Sequence, residues 1–90
     1  MDGARNLIPS SKMMTSHVVD VIREAGGSCT SSEIDIRLQT RLGLSSELCS
    51  LPHKEGEKRS EFQYRSAWAR SYCKKLGLID RGTDGKWFTK

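Results

Sequence analysis

The sequence predicts an α+β, mostly helical domain, and two observations carry that expectation. Three apolar stretches recur at helical spacing, each after a Ser or Thr and each halted by glycine. The chain then closes on Asp84-Gly85 between β-prone runs, the strongest short-range signal for a hairpin, because both turn positions favour positive φ. Ninety residues make one domain. A chain of that size buries roughly 60–65% of its unfolded surface, so its core must be compact.

Residues 1–9 read as a loose leader ended by Pro9, with the packed domain covering 10–90. Ser10 or Ser11 caps a first helix that runs to about Ala25. Met14, Val18, Val21, Ile22 and Ala25 form its apolar stripe, and Gly26-Gly27 stops it. Ser28-Cys29 is an extended piece too short to assign as a strand from sequence. Thr30 and Glu33 match a capping box for a second helix over about 31–42. Ile34, Leu38 and Leu42, with Ile36 as a further candidate, line its buried side, and Gly43 ends it.

Residues 43–60 are the least regular part. Ser45 or Ser46 caps a single turn holding Leu48, Cys49 and Leu51. After Pro52, "HKEGEKRSE" predicts a mobile polar loop, long for so small a domain. Ser60 to Gln63 match a second capping box, opening a third helix over about 61–76 that Gly77 closes. Its spacing puts Arg65, Trp68, Ala69, Tyr72, Cys73 and Leu76 on an inward side. Gln63, Ser66, Ala67, Arg70, Ser71, Lys74 and Lys75 fall on the outward side. Trp68 is therefore expected in the core, and Arg65 in a structural salt bridge to Glu33, Asp35 or Glu61.

A lone hairpin is marginal in water and needs a surface to pack on. Ser28-Cys29 could supply a third strand, and Trp87 could bury against the helices. Three helices closed by a hairpin make a winged helix-turn-helix.

The formal charge of +4 is unevenly placed. Residues 1–52 hold five Lys/Arg against six Asp/Glu, a net of −1; residues 53–90 hold ten against five, a net of +5. That asymmetry points to a polyanion, although a basic surface also serves solubility alone. In a helix-turn-helix the second helix enters the major groove of duplex DNA. On the third helix here, Arg70 could read guanine, Gln63 could read adenine, and Ser66 and Ser71 could donate to bases or phosphates. Ala67 lies on the same side. Lys74 and Lys75 suit phosphates, and Arg81 and Lys86 bracket the hairpin tip. Lys54, Lys58 and Arg59 add a cationic arm. The sequence-based expectation is that the cationic side of this helix, with Arg70 and Lys74, lies open to solvent beside the hairpin.

Other chemistries find little support. Cys29, Cys49, His53 and Cys73 could supply four zinc ligands, but 19, 3 and 19 residues intervene and no close Cys pair exists. His17 beside the first apolar stripe reads as boundary packing. Asp80 and Asp84-Gly85-Lys86 faintly echo a nuclease metal site, yet the turn accounts for them. No phosphate-binding Gly loop or supported nucleophile–His–acid set is present, so the expectation is a binding module, not an enzyme, with no cofactor. No apolar run approaches the ~18 residues of a membrane span. The start of the chain lacks a secretory h-region, and three cysteines cannot all pair with one another, so reduced thiols in the cytoplasm are expected.

The segment "YRSAWARSYCKKLGLI…GKWFT" resembles the N-terminal winged-helix domain of Mrr-type restriction endonucleases, which cut modified DNA. The shared pattern is Arg65, Trp68-Ala69, the run Lys74-Lys75-Leu76-Gly77-Leu78, and Gly85-Lys86-Trp87. Upstream, "IPS" and "RLGLSSE" sit where the family has a similar opening and second-helix end, so the resemblance covers about residues 8–89. Thr89 stands where the family has an apolar residue, and Cys73 replaces a usual Leu. The resemblance implies duplex-DNA binding, with modified bases as a potential preference. Family members continue into a nuclease domain, so the expectation is a trimmed module or a free-standing relative. A homodimer is a further potential partner state. Two rival readings remain open: a protein-interaction winged helix without DNA contact, and an RNA or left-handed-duplex binder on the same scaffold.

Overall fold

The computed structural model describes residues 3–90. A 3-10 helix at Gly3–Leu7 precedes α1 (Ser11–Glu24), β1 (Ser28–Cys29), α2 (Ser31–Leu42), α3 (Ser46–Cys49), α4 (Glu61–Lys75), β2 (Ile79–Arg81) and β3 (Trp87–Thr89). The domain is α+β, with a three-stranded antiparallel sheet in the order β1-β3-β2, consistent with a winged helix. Ser28-Cys29 does supply the third strand: Ser28 pairs with Phe88 and Cys29 with Trp87. The hairpin register sets Asp80 opposite Phe88 and Arg81 opposite Trp87.

Each helix starts where a side-chain oxygen takes up an orphan N–H. The Ser10, Thr30, Ser45 and Ser60 oxygens accept from the backbone N–H of Met13, Glu33, Leu48 and Gln63, respectively. Ser60 and Gln63 form the full reciprocal box, because the Gln63 Oε1 also accepts from the Ser60 N–H. Thr30 forms only half of one. Its hydroxyl donates to Glu33 Oε1 instead, at 3.2 Å. Gly43 ends α2 in the left-handed conformation (φ 65°), and Gly77 (φ 78°) makes the tight joint between α4 and β2.

Met14, Val18, Val21 and Ile22 of α1 and Ile34 and Leu38 of α2 are buried as their spacing implies. Cys29, Phe62, Ala69, Cys73, Ile79 and Trp87 join them, so the sheet closes one end of the helical core. Burial pushes the Cys73 thiol up to about 11. Ile36 is exposed, a correction to its candidacy for the core, because two residues from Ile34 and from Leu38 it projects to the opposite side of the helix.

The N-terminal segment departs from the leader expectation. Ile8 is buried in the core, so packing begins before Ser10; Met1 and Asp2 lie outside the described residues. Arg65 forms the expected salt bridge with Glu61 (2.7 Å) and also donates to the carbonyls of Ile8 (2.6 Å) and Arg5 (3.3 Å). The buried Glu61 carboxylate further meets His53 Nδ1 at 2.9 Å. Burial pushes the Glu61 carboxyl up, but the bonds from His53 and Arg65 outweigh it and the net shift is down. A carboxyl lowered on folding contributes stability that is complete above its unfolded value of about 4.3. That stability is lost as pH falls through the folded value. Glu61→Gln is expected to cost about 1–3 kcal/mol at neutral pH and to flatten the acid limb of the stability curve. Denaturant midpoints at stepped pH check this; an unchanged acid limb in the variant would contradict it.

Candidate nucleic-acid interface

The side of α4 that faces the core is set by Phe62, Ser66, Ala69 and Cys73. Relative to the sequence expectation, the buried arc is turned about the helix axis towards Ser66 and Arg70 and away from Trp68 and Tyr72. Ser66 is fully buried and Arg70 is 8% exposed, so neither is the open base reader expected. The cause is Asp35 on α2. The Ser66 hydroxyl and Arg70 NH1 both donate to Asp35 Oδ1, the latter at 3.1 Å, and Arg70 NH1 also reaches Ser66 Oγ at 2.9 Å. A carboxylate facing this row of α4 makes burial of a hydroxyl and a guanidinium tolerable, because each polar atom finds a partner. Burial pushes the Asp35 carboxyl up and the Arg70 guanidinium down, each opposed by the other's charge.

The network reaches the hairpin. The Arg70 guanidinium carbon lies 5.9 Å from the centre of the Trp87 ring, and that of Arg81 lies 5.2 Å from it. Trp87 Nε1 donates to Ser31 Oγ at the start of α2, at 3.0 Å. Asp35, Arg70 and Trp87 thus lock α2, α4 and β3 together. Arg70 holds the floor of the face rather than its surface.

What remains open is a concave patch of about 300 Å³ lined by Asp35, Lys58, Arg59, Gln63 and Arg70. Lys58 and Arg59 come from the loop before α4, and both are exposed. That loop is pinched at its base by a β-bridge between Pro52 and Ser60 and by the His53 N–H donating to the Arg59 carbonyl (3.1 Å). The pinch sets its cationic end against the start of α4. Arg81, across the Trp87 ring, is exposed on β2, and its Nε donates to the Gly85 carbonyl (3.1 Å), which steadies the turn. Lys86 is exposed at the same turn.

The structure brings together Lys58, Arg59 and Gln63, with Arg70 beneath them and Arg81 across the Trp87 ring. Gln63 is exposed, but its Oε1 is engaged by the capping box. Bidentate reading of adenine needs that oxygen, so the helix cap and the base compete for it. Ser71 is exposed and Ala67 half-buried along the outer side of α4. Lys74 and Lys75 are exposed but set apart, lining a second concavity with Trp68, Ser71 and Tyr72. Lys74 also comes within 4.0 Å of Asp80, which Lys90 approaches to 3.6 Å. The Arg81 N–H donates to the Asp80 carboxylate and holds its pKa below the usual range, aided by the Lys90 and Lys74 charges.

Sequence reasoning missed Asp35 as the organiser of the face. The available signal was Phe62, Ser66 and Arg70 at four-residue steps, continuous with Ala69 and Cys73. It also misplaced Trp68, which is 47% exposed.

No helix among the described residues is long and apolar enough to cross a membrane. Among the described residues, no group of three or more His, Cys, Asp or Glu side chains could hold a metal ion. Neither a curated protein nor a solved structure matches the chain. The Mrr N-terminal domain model, by contrast, matches residues 12–88, nearly the whole sequence, from the start of α1 into β3. The chain belongs to the Mrr N-terminal domain family, a restriction-enzyme-associated module separate from the catalytic nuclease domain.

Proposed function

We propose that this domain binds duplex DNA without catalysis and delivers an attached nuclease domain to it, in the cytoplasm. The observation that carries the reading is the cluster of Lys58 and Arg59 at the start of α4, with Arg81 beyond Arg70 and Trp87, all exposed and with Arg59 and Arg81 both close enough for their charges to act on Arg70. Three cations from a loop and a hairpin, on either side of a helix, match the geometry by which a winged helix grips phosphates around a groove. In this arrangement α4 presents Gln63, Ala67 and Ser71 to base edges. Lys58, Arg59, Arg81 and Lys86 neutralise phosphates, and the Asp35–Ser66–Arg70 network fixes the angle between helix and hairpin. Lys74 and Lys75 contribute to the positive field from the far end of α4.

The net charge of +5 in residues 53–90 supports the same reading, since binding dominated by phosphate contacts depends on it. The test is titration of the domain with random-sequence duplex DNA at stepped salt. The log of affinity is expected to fall linearly with log salt at a slope of about −0.9 per neutralised phosphate, near −3 to −4 for the four cations named. A salt-insensitive interaction, or none, would favour the protein-interaction reading instead.

A further inference from the structure

The flank of α4 opposite the Asp35 network carries a row of aromatic rings. Tyr64, Trp68 and Tyr72 follow one another at four-residue steps, with ring centres 6.4 and 6.1 Å apart. The His53 ring extends the row, stacked on Tyr64 at 3.7 Å with the planes 14° apart. Trp68 at the middle is 47% exposed. Among the described residues, no hydrogen bond fixes its indole N–H. Trp68 is the exposed member and Tyr64, Tyr72 and His53 are half-buried, so the row forms a partly open aromatic surface that marks a candidate contact site.

Three concavities run along this row. One of about 380 Å³ joins Tyr64 and His53 to Lys54, Lys58 and Arg59. A second of about 460 Å³ joins Trp68 and Tyr72 to Lys74 and Lys75. A third of about 270 Å³ joins Tyr72 and Leu76 to Lys12 and Lys75. Each pairs a π-face with at least two cations. Glu57 is the one carboxylate among their lining residues as described.

We propose that this aromatic and lysine-lined flank binds single-stranded nucleic acid through Trp68 and Tyr72, beside the duplex face and sharing Lys58 and Arg59 with it. Bases offer π-faces of any sequence to the rings, and phosphates meet the lysines alongside, the pairing on which sequence-tolerant single-strand binding rests. The ring spacing near 6 Å exceeds the rise of about 3.4 Å per nucleotide in a duplex strand. The rings are also tilted 69° and 37° to one another, so bases laid on successive rings cannot keep the parallel stack of a duplex strand. Charge argues against a second copy of this chain as the occupant: self-association would set lysine against lysine across the seam.

The test uses the 90-residue domain and a short oligothymidylate, read by tryptophan fluorescence; Trp87 is buried, so Trp68 reports on the row. Oligothymidylate is expected to quench the wild-type signal. Trp68→Ala and Tyr72→Ala, read by anisotropy of a labelled strand, are each expected to weaken it about tenfold, whereas Trp68→Phe retains most of the affinity. Duplex affinity is expected to stay within about twofold in all three, because neither Trp68 nor Tyr72 supplies any of the phosphate contacts that dominate it. Circular dichroism of each variant confirms that the fold persists. Oligothymidylate binding that survives Trp68→Ala, or that is lost in step with duplex binding on Arg81→Ala alone, would overturn the proposal. So would a wild-type dimer that dissociates on Trp68→Ala, which would make the row an interface between copies.

Discussion

Replacing Asp35 with alanine is expected to destabilise the domain by about 3 kcal/mol, because it strands Arg70 without its counter-charge. Arg70 is 8% exposed and packed between α2, α4 and the Trp87 ring, so it has little access to water. Ser66, fully buried, loses its acceptor in the same step. For a domain of this size the melting midpoint moves about 4–8 °C per kcal/mol, so the effect is large beside ordinary surface changes. The triple variant Asp35→Leu/Ser66→Ala/Arg70→Met removes every member of the network together. It is expected to recover most of the loss, since a buried ion pair is often worth little more than apolar residues of similar volume. Melting curves of the two variants check this. An Asp35→Ala protein as stable as wild type, or a triple variant worse than the single, would contradict the account of Arg70 as an internal strut.

That network also marks where the sequence stopped being readable. The helix starts were legible because Ser10, Thr30, Ser45 and Ser60 act locally: a cap needs only its own next three residues. The hairpin was legible for the same reason, through Gly85 at the turn and Gly77 at the joint, but its connection spans residues 82–86 and Gly85 takes positive φ there while Asp84 does not. The first two helices showed their buried sides plainly, since Val18, Ile22, Ile34 and Leu38 form uninterrupted apolar rows.

The buried side of α4 was not legible in this way. Its side chains offer two overlapping arcs that share Ala69 and Cys73, one adding Arg65, Trp68, Tyr72 and Leu76 and the other adding Phe62, Ser66 and Arg70. Hydrophobicity favours the first, because Trp and Tyr outweigh Ser and Arg. The fold takes the second because Asp35, 31 positions from Ser66 and 35 from Arg70, satisfies their polar atoms. Nothing within α4 itself announces that partner. The same turn of the helix relocated Arg70 from the candidate contact surface to its support and left Arg59 and Arg81 as the exposed cations beside it. The ordering of the N-terminal segment was hidden likewise. Ile8 is held by packing and by Arg65, 57 positions away, which no local pattern reveals.

The remaining prediction concerns the exposed cations. Neither Arg59 nor Arg81 is buried. The one contact that Arg81 shares with the core, over Trp87, is worth about 0.5–1 kcal/mol at an exposed site. Replacing both with alanine should therefore leave the fold intact while removing two phosphate contacts. Each contact contributes about 0.9 to the salt slope, so the double variant is expected to bind duplex DNA with a slope shallower by about 2 and an affinity lower by about tenfold or more at low salt. Side-by-side duplex titrations of the wild type and Arg59→Ala/Arg81→Ala at stepped salt, with matched melting curves, test the duplex face most directly. The account predicts a weaker, flatter salt dependence with the fold retained at a cost of about 1 kcal/mol in stability; an unaltered affinity and slope in a folded double variant would contradict it.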